Sequence, residues 1–137
     1  YIAEHGGIMP NDLISICPVV DMTLTNPEID KLQKYDPMLN AKDLKLQLNA
    51  YSGGNPTKED YKLNPIYCDF SVMPEVTVFA GGYDILTPDI RKLKEKLDGE
   101  GISINYYEYP RMAHTFPLFP IPEADRALEQ IKAVIYN

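Results

Sequence analysis

The chain has 137 residues and a mass of 15.5 kDa, the size of one domain or part of one. Its 45% hydrophobic and 24% charged residues exclude a disordered tail, and no apolar run approaches the ~18 residues a membrane-spanning helix needs. Thirteen Lys and Arg against 20 Asp and Glu leave a net charge of −7, which argues against a surface that binds phosphate or nucleic acid.

The N-terminal residues Tyr-Ile-Ala-Glu-His-Gly-Gly read as the last turn of a helix stopped by glycine, so the expectation is a fragment whose first helix starts upstream. Leu13–Cys17, bounded by Asn11-Asp12 and Pro18, suits a buried strand, with Cys17 as a core residue inside it. Residues 21–40 read as an irregular excursion. Asp43 followed by Leu44, Leu48 and Tyr51 predicts a short amphipathic helix over 43–51, stopped by Gly53-Gly54. From Asn55 to Met73 the pattern is loop, with one helical turn near Asp60.

Glu75–Ala80 is β-branched and apolar, a central strand ended by Gly81-Gly82. Thr87-Pro88-Asp89 opens a helix with a hydroxyl cap, a proline and a carboxylate at its positive end. Ile90, Leu93 and Leu97 form its buried stripe, while Arg91, Lys92, Lys94 and Lys96 face water. Residues 102–109 alternate as a strand with one wetter face, in which the pair Tyr106-Tyr107 packs across the sheet. Pro122 and Glu123 open a last helix with a stripe of Ala124, Leu128, Ile131 and Ile135. Strands alternating with helices of this length imply crossover connections and a parallel sheet, hence an α/β fold.

In such sheets functional groups gather beyond the carboxyl ends of the strands. After strand 75–80 comes Asp84, and after strand 102–109 comes His114, 30 residues on. One helix and one strand account for that interval, so adjacent strands would set the two side chains on one rim. A carboxylate facing an imidazole fixes its tautomer and stabilises the imidazolium, the base half of a nucleophilic hydrolase.

Residues 76–89, Val-Thr-Val-Phe-Ala-Gly-Gly-Tyr-Asp-Ile-Leu-Thr-Pro-Asp, resemble the acid-bearing segment of the α/β-hydrolases, in particular the hormone-sensitive-lipase-like branch of esterases and lipases. Residues 109–116, Tyr-Pro-Arg-Met-Ala-His-Thr-Phe, are similar to its histidine loop, and Ile-Cys-Pro-Val-Val-Asp at 16–21 to the strand end before its cap insertion. The likeness runs over roughly residues 12–135. It implies the C-terminal portion of an α/β-hydrolase domain, 1–137, with a cap-like insertion at 21–74 whose Leu, Met and Tyr content suits a small apolar group. It also implies a carboxylic-ester hydrolase with chain order Ser, Asp, His, in which Asp84 orients the base and His114 is the general base and acid; Asp89 is the competing acid, ranked lower because the second acidic residue of the family's pattern usually caps the following helix.

The nucleophile elbow Gly-x-Ser-x-Gly occurs nowhere in the sequence, nor does a His-Gly-Gly-Gly oxyanion segment. None of Ser15, Ser52, Ser71 and Ser103 has the flanking glycines. The expectation is therefore a piece that supplies acid and base to an upstream serine and is inactive alone. It would need its missing N-terminal half, or associate with a second copy through an exposed sheet edge and apolar face. Other expected properties are a small ester substrate, no cofactor, no metal site (only His5 and His114 are available), no membrane span, and a cytoplasmic location with Cys17 and Cys68 as free thiols. The alternatives are a non-catalytic α/β small-molecule-binding module, with a phosphoacceptor receiver weakened by Asp12 as its sole early acidic candidate, or epoxide or halide hydrolysis on the same scaffold.

Overall fold

A computed structural model describes residues 2–54, 57 and 60–136. Tyr1 and Asn55, which the sequence assigns to a helix end and a loop, lie outside the described residues, and the short helix α1 (Ile2–His5) stands where the sequence places the helix end.

Three strands form one sheet in the order β1-β2-β3: β1 (Asp12–Ile16), β2 (Glu75–Gly81) and β3 (Asn105–Tyr109). Both pairings are parallel, with Ile14 opposite Thr77 and Phe79 opposite Tyr107. A central strand must bury both faces, and the β-branched, apolar run of β2 does so at every position after Glu75. Val76, Val78 and Ala80 face α4 (Thr87–Gly99), where Ile90, Leu93 and Leu97 complete one core with Ile66 and Phe70. Phe79 faces the opposite way, stacked on Tyr107 at 5.1 Å and clustered with Phe116 and with Ala127 of α5 (Pro122–Tyr136). Each large apolar side chain removed from water here contributes about 1.5–3 kcal/mol.

The α/β order and the parallel sheet agree with the sequence pattern, and the corrections are local. Cys17 lies one residue beyond β1, not inside it, with φ of +47°. The excursion after Asp21 contains a short helix, α2 (Glu28–Leu32), that no hydrophobic period announced. The next helix, α3 (Ala41–Tyr51), is capped by Asn40, whose side chain accepts from the Lys42 and Asp43 N–H groups, so Asp43 is in the first turn and not the cap. Tyr51 is 76% exposed and belongs to no buried face. Within the stretch after Asn55, a turn over Asp60–Asn64 is followed by single 3₁₀ turns at Pro65–Tyr67 and Phe70–Val72.

Thr87 does not cap α4. Its hydroxyl donates to the Gly81 carbonyl at 2.6 Å, and the cap position is Leu86. Arg91 and Lys92 are exposed, whereas Lys94 and Lys96 are half-covered. Residues 102–104 precede β3 as loop. On α5 the buried residues are Ala124 and Ala127, while Leu128 is 40% and Ile135 59% exposed. Among the described residues, no helix is long and apolar enough to cross a membrane, and both cysteines are unbridged.

Candidate acid–base site

The carboxyl ends of all three strands converge on one rim, and the glycine pair at the end of β2, Gly81-Gly82, makes that convergence possible. A Cβ on Gly81 would stand 2.5 Å from the Met112 carbonyl oxygen, and one on Gly82 would stand 2.9 Å from the Arg111 nitrogen. Only glycine lets the 110–114 backbone lie against the end of β2. The Gly82 N–H then donates to the Tyr109 carbonyl at 2.8 Å and the Tyr83 N–H to the Met112 carbonyl at 2.9 Å. The two loops are thus laced together through their main chains.

On that frame Asp84 and His114 meet. His114 Nδ1 lies 2.9 Å from Asp84 Oδ2. An ionised carboxylate only accepts, so Nδ1 carries the proton and Nε2 is the free basic nitrogen. Asp84 is fully buried. Its second oxygen accepts the Leu86 N–H at 2.8 Å, and its own N–H donates to the Gly81 carbonyl. The carboxylate therefore has a neighbour on each oxygen and one orientation. The imidazole keeps 21% of its surface, and Nε2 has no hydrogen-bond partner among the described residues. The pair can hold one tautomer, accept a proton at Nε2 and return it.

Asp89, the competing acid, is not part of this arrangement. It is buried, with one oxygen accepting from Asn26 Nδ2 at 2.9 Å and the other without a partner. Burial and then the Asp21 charge push its carboxyl above the ordinary aspartate value, against the lowering effect of Asn26.

Two residues of the rim were given no functional role from the sequence. Asp36 reaches across 49 positions to accept the Ile85 N–H at 2.9 Å, fixing the residue after the acid. Cys17, read from sequence as core, is 3% exposed but lies at the strand end, where its sulfur accepts the Thr115 N–H at 3.3 Å. Burial first, and the Asp84 charge second, push its thiol up to about 12. The position itself was the available signal, since groups just past parallel strands face the functional rim. Among the described residues, Cys17, Asp84 and His114 form the one group of three with metal-ligand side chains, their ligand atoms within 4.8 Å of one another. A metal there would have to displace the His114–Asp84 hydrogen bond and a thiol proton held by a buried carboxylate neighbour.

A family profile described as alpha/beta hydrolase fold matches residues 1–118. The chain is 29% identical over 132 residues to an esterase from Acinetobacter venetianus, covering 95% of this chain and 44% of that protein. Among solved structures, a Staphylococcus aureus protein described as a candidate esterase superposes with a TM-score of 0.90 at 29% identity, over 99% of this chain and 46% of that one. A homologue of hormone-sensitive lipase from a metagenome library gives 0.88 at 27% identity, over 97% and 46%. The chain spans a little under half the length of these relatives. With the family profile covering most of its length and its fold superposing on theirs, the chain belongs to the α/β-hydrolase-fold family.

Proposed function

We propose that this chain supplies the acid and base of a Ser-Asp-His triad in a carboxylic-ester hydrolase, with the serine carried by sequence outside these residues. The observation that supports it most is the 2.9 Å approach of His114 Nδ1 to a fully buried Asp84 carboxylate, with 21% of the imidazole surface still exposed. His114 Nε2 takes the proton of the attacking hydroxyl and later delivers it to the leaving alkoxide. Asp84 stays ionised throughout, holding the ring and stabilising the imidazolium without taking the proton itself. Residues 21–74 form the cap over the substrate, joined to the acid turn through the Asp36–Ile85 hydrogen bond. Esterase chemistry is favoured over epoxide or halide hydrolysis by the loop sequences and by the likeness to an esterase and to a hormone-sensitive-lipase homologue.

The test is hydrolysis of a short-chain p-nitrophenyl ester by the protein that joins this chain to its upstream sequence. A Gly-x-Ser-x-Gly ending within about 20–25 residues before Tyr1 is expected, the length an elbow and its helix need. His114→Ala should lower kcat by about 10⁴-fold or more, and Asp84→Asn by about 10⁴-fold through loss of the productive tautomer. Unchanged turnover in His114→Ala would eliminate the assigned base.

A further inference from the structure

Cys17 is the third strand-end residue on the rim, and the acid–base reading leaves it without a task. It sits where β1 ends, as Asp84 and His114 sit beyond β2 and β3. Its N–H donates to the Phe79 carbonyl at 2.8 Å, which fastens the end of β1 to β2. Its sulfur accepts the N–H of Thr115, the residue next to the imidazole, 98 positions away. The same sulfur lies within 4.8 Å of ligand atoms of both Asp84 and His114.

Two backbone observations sharpen the point. Cys17 has φ of +47° and Thr115 φ of +51°, left-handed conformations that side-chain-bearing residues adopt only when their surroundings hold them there. The hydrogen bond between them joins these two strained residues directly. Release of the sulfur would free Thr115, and with it the ring on the preceding residue.

From this geometry we infer that Cys17 is a positioning residue for the acid–base pair: its thiol anchors the His114 loop through Thr115 and seals the Asp84–His114 hydrogen bond from water. The inference rests on the triad reading above. A nucleophilic role does not fit the same observations. The sulfur is buried, and that burial, with the Asp84 charge second, keeps its proton on, whereas a thiol nucleophile must be exposed and ionised. A neutral thiol is what the place requires, since a second anion beside Asp84 would compete for the imidazole.

The test uses the protein that joins this chain to its nucleophile, with three replacements of Cys17. Cys17→Ala should lower kcat by about 10–100-fold with little change in KM, the loss expected when a reacting group drifts by a fraction of an ångström to 1 Å. Cys17→Gly removes the sulfur but relieves the left-handed backbone, so it should fold at least as readily as the alanine variant and still be slow. Cys17→Ser keeps an acceptor for Thr115 and should recover most of the lost kcat. A second readout needs no turnover. In the same joined protein the ring nitrogens of His114 are identified by ¹⁵N NMR as the signals lost in His114→Ala. The proton should stay on Nδ1 in the parent and in Cys17→Ser, and spread to both nitrogens in Cys17→Ala and Cys17→Gly. If His114→Ala abolishes turnover while a folded Cys17→Gly or Cys17→Ala keeps parental kcat and a single tautomer, the role of Cys17 is overturned and the triad stands. If His114→Ala is fully active, the triad itself falls.

Discussion

Residues 75–99 and the described residues of 21–74 are held in place by different balances of apolar and polar contact. In the first region, β2 and α4 bury nearly every side chain that faces inward, and the stabilisation is apolar: Val76, Val78 and Ala80 against Ile90, Leu93 and Leu97. In the second, Ile66 and Phe70 join the same core, while the short helices and turns around them are fixed by polar side chains that bond main chain. Asp21 accepts from Thr23, Asn40 caps α3, Gln33 bridges Leu39 and Ala41, Asn64 accepts from Met22, and Asp69 accepts from Ser71. Apolar burial is non-directional and sums over many contacts, so it makes a rigid platform. Polar turn chemistry fixes local shape one bond at a time, each worth about 1 kcal/mol, and leaves the segment easier to remodel. The acid Asp84 stands on the rigid platform, and Asp36 ties the other region to it.

The contrast can be broken most forcefully at Gly81. A methyl group there would meet two carbonyl oxygens of the histidine loop at 2.5 and 2.6 Å, so Gly81→Ala should cost about 4 kcal/mol or more in thermal or denaturant unfolding. A stability near that of the parent would mean that the two loops are not laced as described.

Next comes the apolar platform itself. Ile90→Ala, at a fully buried site, should lose about 2–5 kcal/mol by urea titration. Asn40→Ala, in the polar region, should lose only about 1 kcal/mol, the worth of a helix cap. Equal losses would erase the distinction between the regions.

Asp89 gives a smaller effect with a defined sign. Its raised pKa means that the native state binds more protons than the unfolded chain between the ordinary value of 3.8 and the raised one. Stability contributed by this group therefore falls as pH climbs through that window, and the cost is constant above it. Asp89→Asn removes the buried unpartnered oxygen's charge while its amide oxygen can still accept from Asn26. The variant should equal or exceed the parent by up to about 1 kcal/mol at neutral pH and lose that advantage in acid. A variant that is weaker at neutral pH and shows no change with acid would contradict the assignment. The smallest effect is expected for Leu128→Ala on the open side of α5, about 0.5 kcal/mol or less.

Legibility in the sequence followed the same division. The stripe of α4, the burial of β2 and the interval from Asp84 to His114 were all readable, because periodicity encodes which face is buried and the α/β order encodes which strand ends are neighbours. The polar region was not. Asn40 and Asp43 are both acceptable caps, and Thr87 is a plausible one, until the fold decides which main-chain groups each can reach. The α5 stripe was half right: Ala124 is buried and Ile131 packs against the core, but Leu128 and Ile135, which have the right spacing, are exposed, and Ala127 joins the Phe79 cluster instead.

The sequence by itself determined the α/β class, the central strand and the acid and imidazole worth watching, since each is written in residues close together or in a repeating pattern. Only the tertiary structure decided that Asp84 and not Asp89 meets the ring, that Gly81 and Gly82 serve a close approach of backbones, and that Cys17 reaches Thr115. Those are contacts between side chains and main chain from separate strands, and their energies depend on distances of a few ångströms that no local pattern carries.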